Sequence, residues 1–186
     1  MIVAIAIAII AAGVGTFVVA IHPSEDATYT EPASSVRGGG PDTNVTNGQI
    51  TLRLNNVSDA SDPAIAEVWA NLSLQTGDYA LHSAIYRPLA PSPGEKNLIA
   101  NITVTNARSA AAPFSYTHFL IVGRDGSAYY ANWAVCNNGC TAAALKNRAL
   151  PESFTSNLYV LFSVPTGADA AQLVYAASPP IVIGLA

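Results

Sequence analysis

Two cysteines, Cys136 and Cys140, stand in the stretch "CNNGC" with three residues between them. A pair this close can form a disulfide, do redox chemistry or help to hold a metal. The redox motif has two intervening residues, and no Cys or His partners stand at zinc spacing. A reactive thiol also needs an activating basic neighbour, which the flanking residues do not make evident. Asn-Gly favours positive φ at a hairpin tip, and three residues fit between two facing strands. The pair therefore reads as a structural disulfide that locks a hairpin register, with a small entropic effect because the closed loop is short.

The other chemistry-bearing residue types do not converge. His22, His82 and His118 have no ligand spacing, and the last two lie in strand-like runs. There is no "GxSxG" elbow for a serine hydrolase. The few acids, Asp42, Asp59, Asp62, Glu95, Asp125 and Asp169, fall mostly in turns rather than as a facing pair. "SDASDP" at residues 58–63 lacks the Gly and the terminal Glu of a calcium loop, and Asx-turn chemistry explains it. The triple glycine at residues 38–40 has no following Gly-Lys-Ser/Thr, so it reads as a hinge and not as a phosphate loop. No enzyme, cofactor or metal site is expected.

Four Asn-X-Ser/Thr sequons begin at Asn44, Asn56, Asn71 and Asn101. About two would arise by chance from this much Asn, Ser and Thr, so the excess is mild. It agrees with an exterior location and makes these four the candidate glycosylation sites.

The surroundings of these residues are unusual in charge. The chain has 186 residues, of which 51% are hydrophobic and only 11% charged, with a net charge of −4. Soluble domains usually carry about 25% charged residues. Ala, Ser, Thr, Asn and Gly replace the missing charge. Such a neutral polar surface suits a protein covered by copies of itself, by glycan or by lipid. The eight Lys and Arg are scattered, so no basic stripe is available for nucleic acid.

The first 21 residues, "MIVAIAIAIIAAGVGTFVVAI", contain no charge. A helix of about 20 residues reaches the roughly 30 Å of a bilayer core. A cleavable secretory signal would carry a basic n-region, which is absent, although "VVA" at residues 18–20 could serve as a cleavage site. The run is expected to stay on the mature chain. Three readings remain open: a membrane anchor, a helix that bundles with its copies, or an extended donor strand. The alternation in "VAIAIAI" suits a strand. The length, and the small residues that permit close helix contact, suit a helix with Ile5, Ile9, Ala12, Val14, Phe17 and Val18 on its assembly face.

Residues 22–48 are rich in Pro, Gly, Ser, Thr and Asp and read as a flexible linker or collar. From Gln49 the pattern changes. "QITLRLNNV", "AIAEVWANLSL", "DYALHSAIY", "NLIANITVTN", "SYTHFLIVG", "SAYYANWAV", "FTSNLYVLFSV", "AQLVYAA" and "IVIGL" are short runs divided by turn residues every 8–12 positions. That spacing points to a β-sandwich or barrel of about nine or ten strands over residues 49–186. "RDGS" marks an Asp-Gly turn, and "TAAALKN" is the segment where a helical turn competes.

In layout the chain resembles the archaeal type IV pilin and archaellin group. The carriers are "IVAIAIAIIAAGVGTFVVAI" and the strand pattern after Gln49. The stretches "GEKNLIANITVTNA", "FLIVGRDGSAYY" and "LYVLFSVPTGADAAQLVYA" are also similar to secreted immunoglobulin-like domains. The resemblance implies a mainly β fold: an N-terminal hydrophobic α-helix (residues 1–21), then an immunoglobulin-like antiparallel β-sandwich head. It implies a non-enzymatic filament subunit at the cell surface, in a helical homopolymer and membrane-inserted before assembly. Such pilins carry a basic leader that is removed, so either the numbering starts at the processed end or the chain is never processed. The alternative is an uncleaved, membrane-anchored surface protein, like an archaellum stator component or a virion membrane or capsid protein. Its partner would be a cell-wall layer, a coat component or a host surface, and not nucleic acid.

Overall fold

The computed structural model describes residues 27–59, 91–136, 145 and 148–185. Eleven strands and one 3-10 turn lie in this part of the chain: β1 (Val36–Gly38), β2 (Asn44–Thr46), β3 (Ile50–Asp59), β4 (Glu95–Asn106), β5 (Ala112–Phe114), the turn η1 (Tyr116–His118), β6 (Phe119–Gly123), β7 (Ala128–Cys136), β8 (Arg148–Leu150), β9 (Thr155–Pro165), β10 (Ala170–Tyr175) and β11 (Ile181–Gly184). Nine strands form one sheet in the order β1-β11-β10-β6-β7-β9-β4-β3-β2, and β5 pairs with β8 alone.

The long sheet folds over on itself at β7. The first part of β7 pairs with β6, Leu120 opposite Tyr130. From Ala131, opposite Phe162, it pairs with β9 instead, through a register shift between Ala131 and Trp133 and on to Cys136 opposite Leu158. A bulge of this kind bends and twists a strand, which lets one strand serve two layers. The alternation along each strand then fills the space between the layers. Leu52, Leu54, Ile102, Val104, Leu158, Val160 and Phe162 from one layer meet Phe119, Ile121, Leu173, Tyr175, Ile181 and Ile183 from the other in a single buried cluster. Each such side chain contributes roughly 1.5–3 kcal/mol when fully removed from water.

The β6-β10-β11 layer is also apolar on its outer side, where Leu120, Val122, Val174 and Val182 are buried. A strap covers it. Ala27 and Tyr29 pack on these residues. The strap is tied at the start of β7, where Tyr29 N donates to Gly126 O (3.0 Å) and Ala128 N donates to Ala27 O (2.8 Å). It ends at β1, which runs parallel to β11, with Val36 opposite Ile181. Residues 27–35 therefore cross this face from β7 to the sheet's far edge, with an Arg37–Glu31 ion pair beside the crossing.

The expected fold class needs correction. The described residues are all-β, with a one-turn 3-10 segment as the helical element of described bounds, and β1 is parallel to β11. The expected N-terminal α-helix ahead of a purely antiparallel immunoglobulin-like head is not this architecture. One sheet bent at a bulge in β7 replaces it, because β7 changes partner half-way along. No helix among the described residues is long and apolar enough to cross a membrane. Ile5, Ile9, Ala12, Val14, Phe17 and Val18 lie outside the described residues. β1 and β2 fall within residues 22–48, read from composition as a linker. Their single apolar anchors, Val36 and Val45, are too few to show a period.

Candidate functional site

The strand directions give the molecule two unlike ends. One end carries the turns Pro93–Gly94, 124–127 and 166–169, the strap's entry at Ala27, and Leu185, whose N–H donates to Ala171 O (2.9 Å). At the other end lie the β5–β8 pair, η1, Cys136 and the Ser178–Pro179 turn with its cis peptide bond. An open cleft of about 620 Å³ occupies this second end. That is within the range usual for small-ligand sites.

The cleft is built on two buried rings. Phe114 and Tyr175 stack with centroids 5.6 Å apart, and Phe119 lies against Tyr175 at 4.8 Å. Its walls are small and apolar, from Ala111, Pro113, Ala149 and Ala177. Gln49, Ser115, His118 and Ser178 supply its polar groups. His118 is exposed and leans on Tyr175 at 5.8 Å, in the 3-10 turn rather than in a strand as its run suggests. The Tyr175 hydroxyl accepts from Ser115 N at 3.4 Å, which leaves its own proton free to donate. Burial pushes Tyr175 up to about 12 against the smaller opposing effect of that Ser115 bond, so the phenol is neutral across the physiological range.

Fixed loops hold the walls. The two hydrogens of the buried Asn106 amide are shared among Ala110 O (2.8 Å), Leu150 O (3.1 Å) and Pro151 O (2.7 Å), while its Oδ1 accepts from Arg108 N (2.9 Å). On the other side Asn47 Nδ2 donates to Pro179 O (3.0 Å) and Gln49 Nε2 to Ser178 O (3.4 Å). The cleft is thus neutral apart from His118, aromatic at its floor, and braced by side-chain amides. Such a site can take the aliphatic or aromatic part of an uncharged ligand and give it a few hydrogen bonds. Among the described residues, no three His, Cys, Asp or Glu side chains gather as metal ligands.

Cys136 and the described sequons do not line the cleft. Cys136 ends β7, is buried, and is disulfide-bonded. The sequence holds one other cysteine, Cys140, which lies outside the described residues, as does Asn71. Asn44 is exposed on the edge strand β2, and Asn56 is exposed at the β3 bulge. Asn101 sits half-buried in mid-sheet, and its Oδ1 accepts from Asn55 Nδ2 at 3.0 Å. In all three described triplets the middle residue, Val45, Val57 or Ile102, belongs to or packs on the core. A strand that alternates Asn and Thr with core residues writes Asn-X-Ser/Thr as a by-product of its period of two. The cleft itself was not visible in the sequence, because Gln49, the stretch from Phe114 to His118, Ala149 and Ser178 come from four separate segments.

This fold is also that of a secreted bacterial protein. The chain superposes on the crystal structure of MPT63, a secreted protein from Mycobacterium tuberculosis, with TM-score 0.51 and 12% identity, over 82% of this chain and 99% of that one. An uncharacterized β-sandwich protein from Clostridium difficile 630 aligns with TM-score 0.48 and 8% identity, over 88% and 99%. No protein-family model and no curated protein matches the sequence. The described residues are all-β and share the fold of a secreted protein rather than of a pilin with an N-terminal helix, so the resemblance to archaeal pilins and archaellins is overturned. It rested on the opening run and on a strand pattern that β-sandwiches share widely.

Proposed function

We propose that this protein is an extracellular, non-enzymatic β-sandwich that binds an uncharged cell-surface or coat component through its end cleft. The observation that carries the reading is the polarity of the fold. The first described residue, Ala27, lies at the turn end, beside Ala128, and the cleft opens at the opposite end. A ligand at the cleft end is thus met by the side of the molecule remote from Ala27. Two further facts support the location. Cys136 is disulfide-bonded, as suits an oxidising compartment, and MPT63 is itself described as secreted. Self-assembly through residues 1–21 rests on residues outside those described and carries no part of this reading.

The test is binding of a neutral aromatic probe, N-acetyl-phenylalaninamide, to the full chain by ligand-observed NMR. Ala149 is exposed on the cleft wall, so Ala149→Trp fills the cleft without touching the core. The wild type should bind, and the variant should bind at least about tenfold more weakly, a change of about 1.4 kcal/mol. No binding by the wild type, or equal binding by both, would overturn the reading.

A further inference from the structure

The cleft floor holds a buried donor that has no acceptor among the described residues. Tyr175 is 1% exposed and lines the cleft beside Ser115, which is buried to the same degree. The Tyr175 hydroxyl oxygen accepts from Ser115 N at 3.4 Å, and no described acceptor takes its proton. The polar groups around it are engaged. Ser115 Oγ and Thr117 Oγ1 are 2.8 Å apart. His118 O accepts from Ala176 N (2.8 Å), and Ser178 O accepts from Gln49 Nε2 (3.4 Å). A buried donor left unmet costs free energy, so nearly all such groups in folded proteins are paired.

Packing fixes the phenol in this place. Tyr175 stands in β10 opposite Phe119 of β6 on one side and Ile181 of β11 on the other. Phe114 stacks on its ring, 5.6 Å between centroids and 17° between planes, and Phe119 meets it at 4.8 Å. A ring held by two strands and two other rings does not swing away to find an acceptor, so the acceptor must come to it. The open side is the cleft, which Ser115 and Tyr175 both line.

We infer that Tyr175 is the specificity-determining residue of the cleft, and that the ligand carries a carbonyl oxygen, as in a ketone, ester or amide, which accepts the Tyr175 proton. The inference rests on the cleft being the ligand site proposed above. The class follows from what the hydroxyl has left to give. Its oxygen already takes one bond, so what it lacks is an acceptor. A carbonyl accepts and brings no proton of its own to be satisfied among Phe114, Pro113 and Ala177. The apolar body of the ligand then lies along those walls with its carbonyl innermost. A site built around such a donor rejects an analogue without the acceptor, because the donor is then buried beneath the ligand with nothing to bind.

The experiment uses two probes, acetophenone and ethylbenzene, which differ in a ketone against a methylene. Their affinities for the full chain are measured by ligand-observed NMR in wild type, Tyr175→Phe and Ala149→Trp. Tyr175→Phe should weaken acetophenone at least about fivefold and leave ethylbenzene within about twofold of wild type. Ala149→Trp should weaken both. Wild-type binding of acetophenone alone also supports the inference. Should Tyr175→Phe fail to fold, the infrared carbonyl stretch of isotope-labelled acetophenone bound to the wild type should lie below its position in alkane. The inference alone is overturned if folded Tyr175→Phe loses both probes equally or neither, if the wild type binds ethylbenzene alone, or if the stretch sits at the alkane position. Failure of the wild type to bind either probe, or unchanged binding in Ala149→Trp, overturns the cleft reading and this inference with it.

Discussion

Val45 occupies the space in which a side chain on Gly38 would stand. A Cβ at Gly38 would lie 2.2 Å from Val45 Cγ2, with Ile183 Cγ1 at 3.6 Å. β1 and β2 are the two edges of the nine-stranded sheet. This contact brings those edges together, and it explains why a glycine opens the "GGG" run there. Gly38→Ala should cost about 1–3 kcal/mol through overpacking. Val45→Ala on the same chain should recover part of the loss, since it removes the obstructing methyls. Urea unfolding of the two single variants and the double variant measures the coupling. Additive effects would show that the two edges are not in contact.

Asn106 braces the cleft wall from inside. Replacing it with Ala leaves the carbonyls of Ala110, Leu150 and Pro151 without their amide donor. Leaving a buried polar group unpaired costs about 1–3 kcal/mol. The denaturation midpoint should fall with little change in slope. Exchange of the amides in residues 106–114 should quicken.

The stability of the fold should fall in alkali. Burial holds the Tyr175 phenol up to about 12 in the folded state, against 10.0 for an unburied tyrosine. Between those two values the folded chain keeps a proton that the unfolded chain has lost, so stability drops as pH rises through the interval. Below pH about 10 the contribution is fully present. Burial also raises Tyr116, which acts in the same direction. Thermal unfolding followed from pH 9 to 12 should show the decline, and Tyr175→Phe should flatten it.

Reduction of the Cys136 disulfide should be tolerated. For a pairing with Cys140, the one other cysteine, the closed loop of five residues is worth about 2 kcal/mol in the chain-entropy model. The reduced protein should therefore fold, with a lower Tm. Complete unfolding on reduction would show that the bond also holds the cleft end together.

The long strands were legible in the sequence because alternation over five or more residues has no other simple reading. "QITLRLNNV" became β3, "NLIANITVTN" lies in β4, and "FTSNLYVLFSV" covers β9. "RDGS" became the β6–β7 turn, with Gly126 at φ 84° and Ser127 N and Oγ donating to the Asp125 carboxylate, which those bonds hold below its usual pKa. The strands β1, β2 and β5 escaped notice because three residues cannot display a period, and β8 ends the run "TAAALKNRAL", in which a helical turn competed. The strap was hidden for another reason: it follows no repeat and owes its place to the outer face of a different layer. The helix expected from the opening run came from its length, apolarity and small residues, and the pilin resemblance added a strand pattern of wide occurrence. Such a signal says that a segment avoids water without saying what covers it.

The central claim is that recognition happens at the cleft end. Amide hydrogen exchange of the full chain, with and without saturating N-acetyl-phenylalaninamide, tests it most directly. The account predicts slowed exchange in peptides covering residues 111–118, 148–150 and 175–178. Protection confined to residues 123–128 and 166–170, at the turn end, would contradict it.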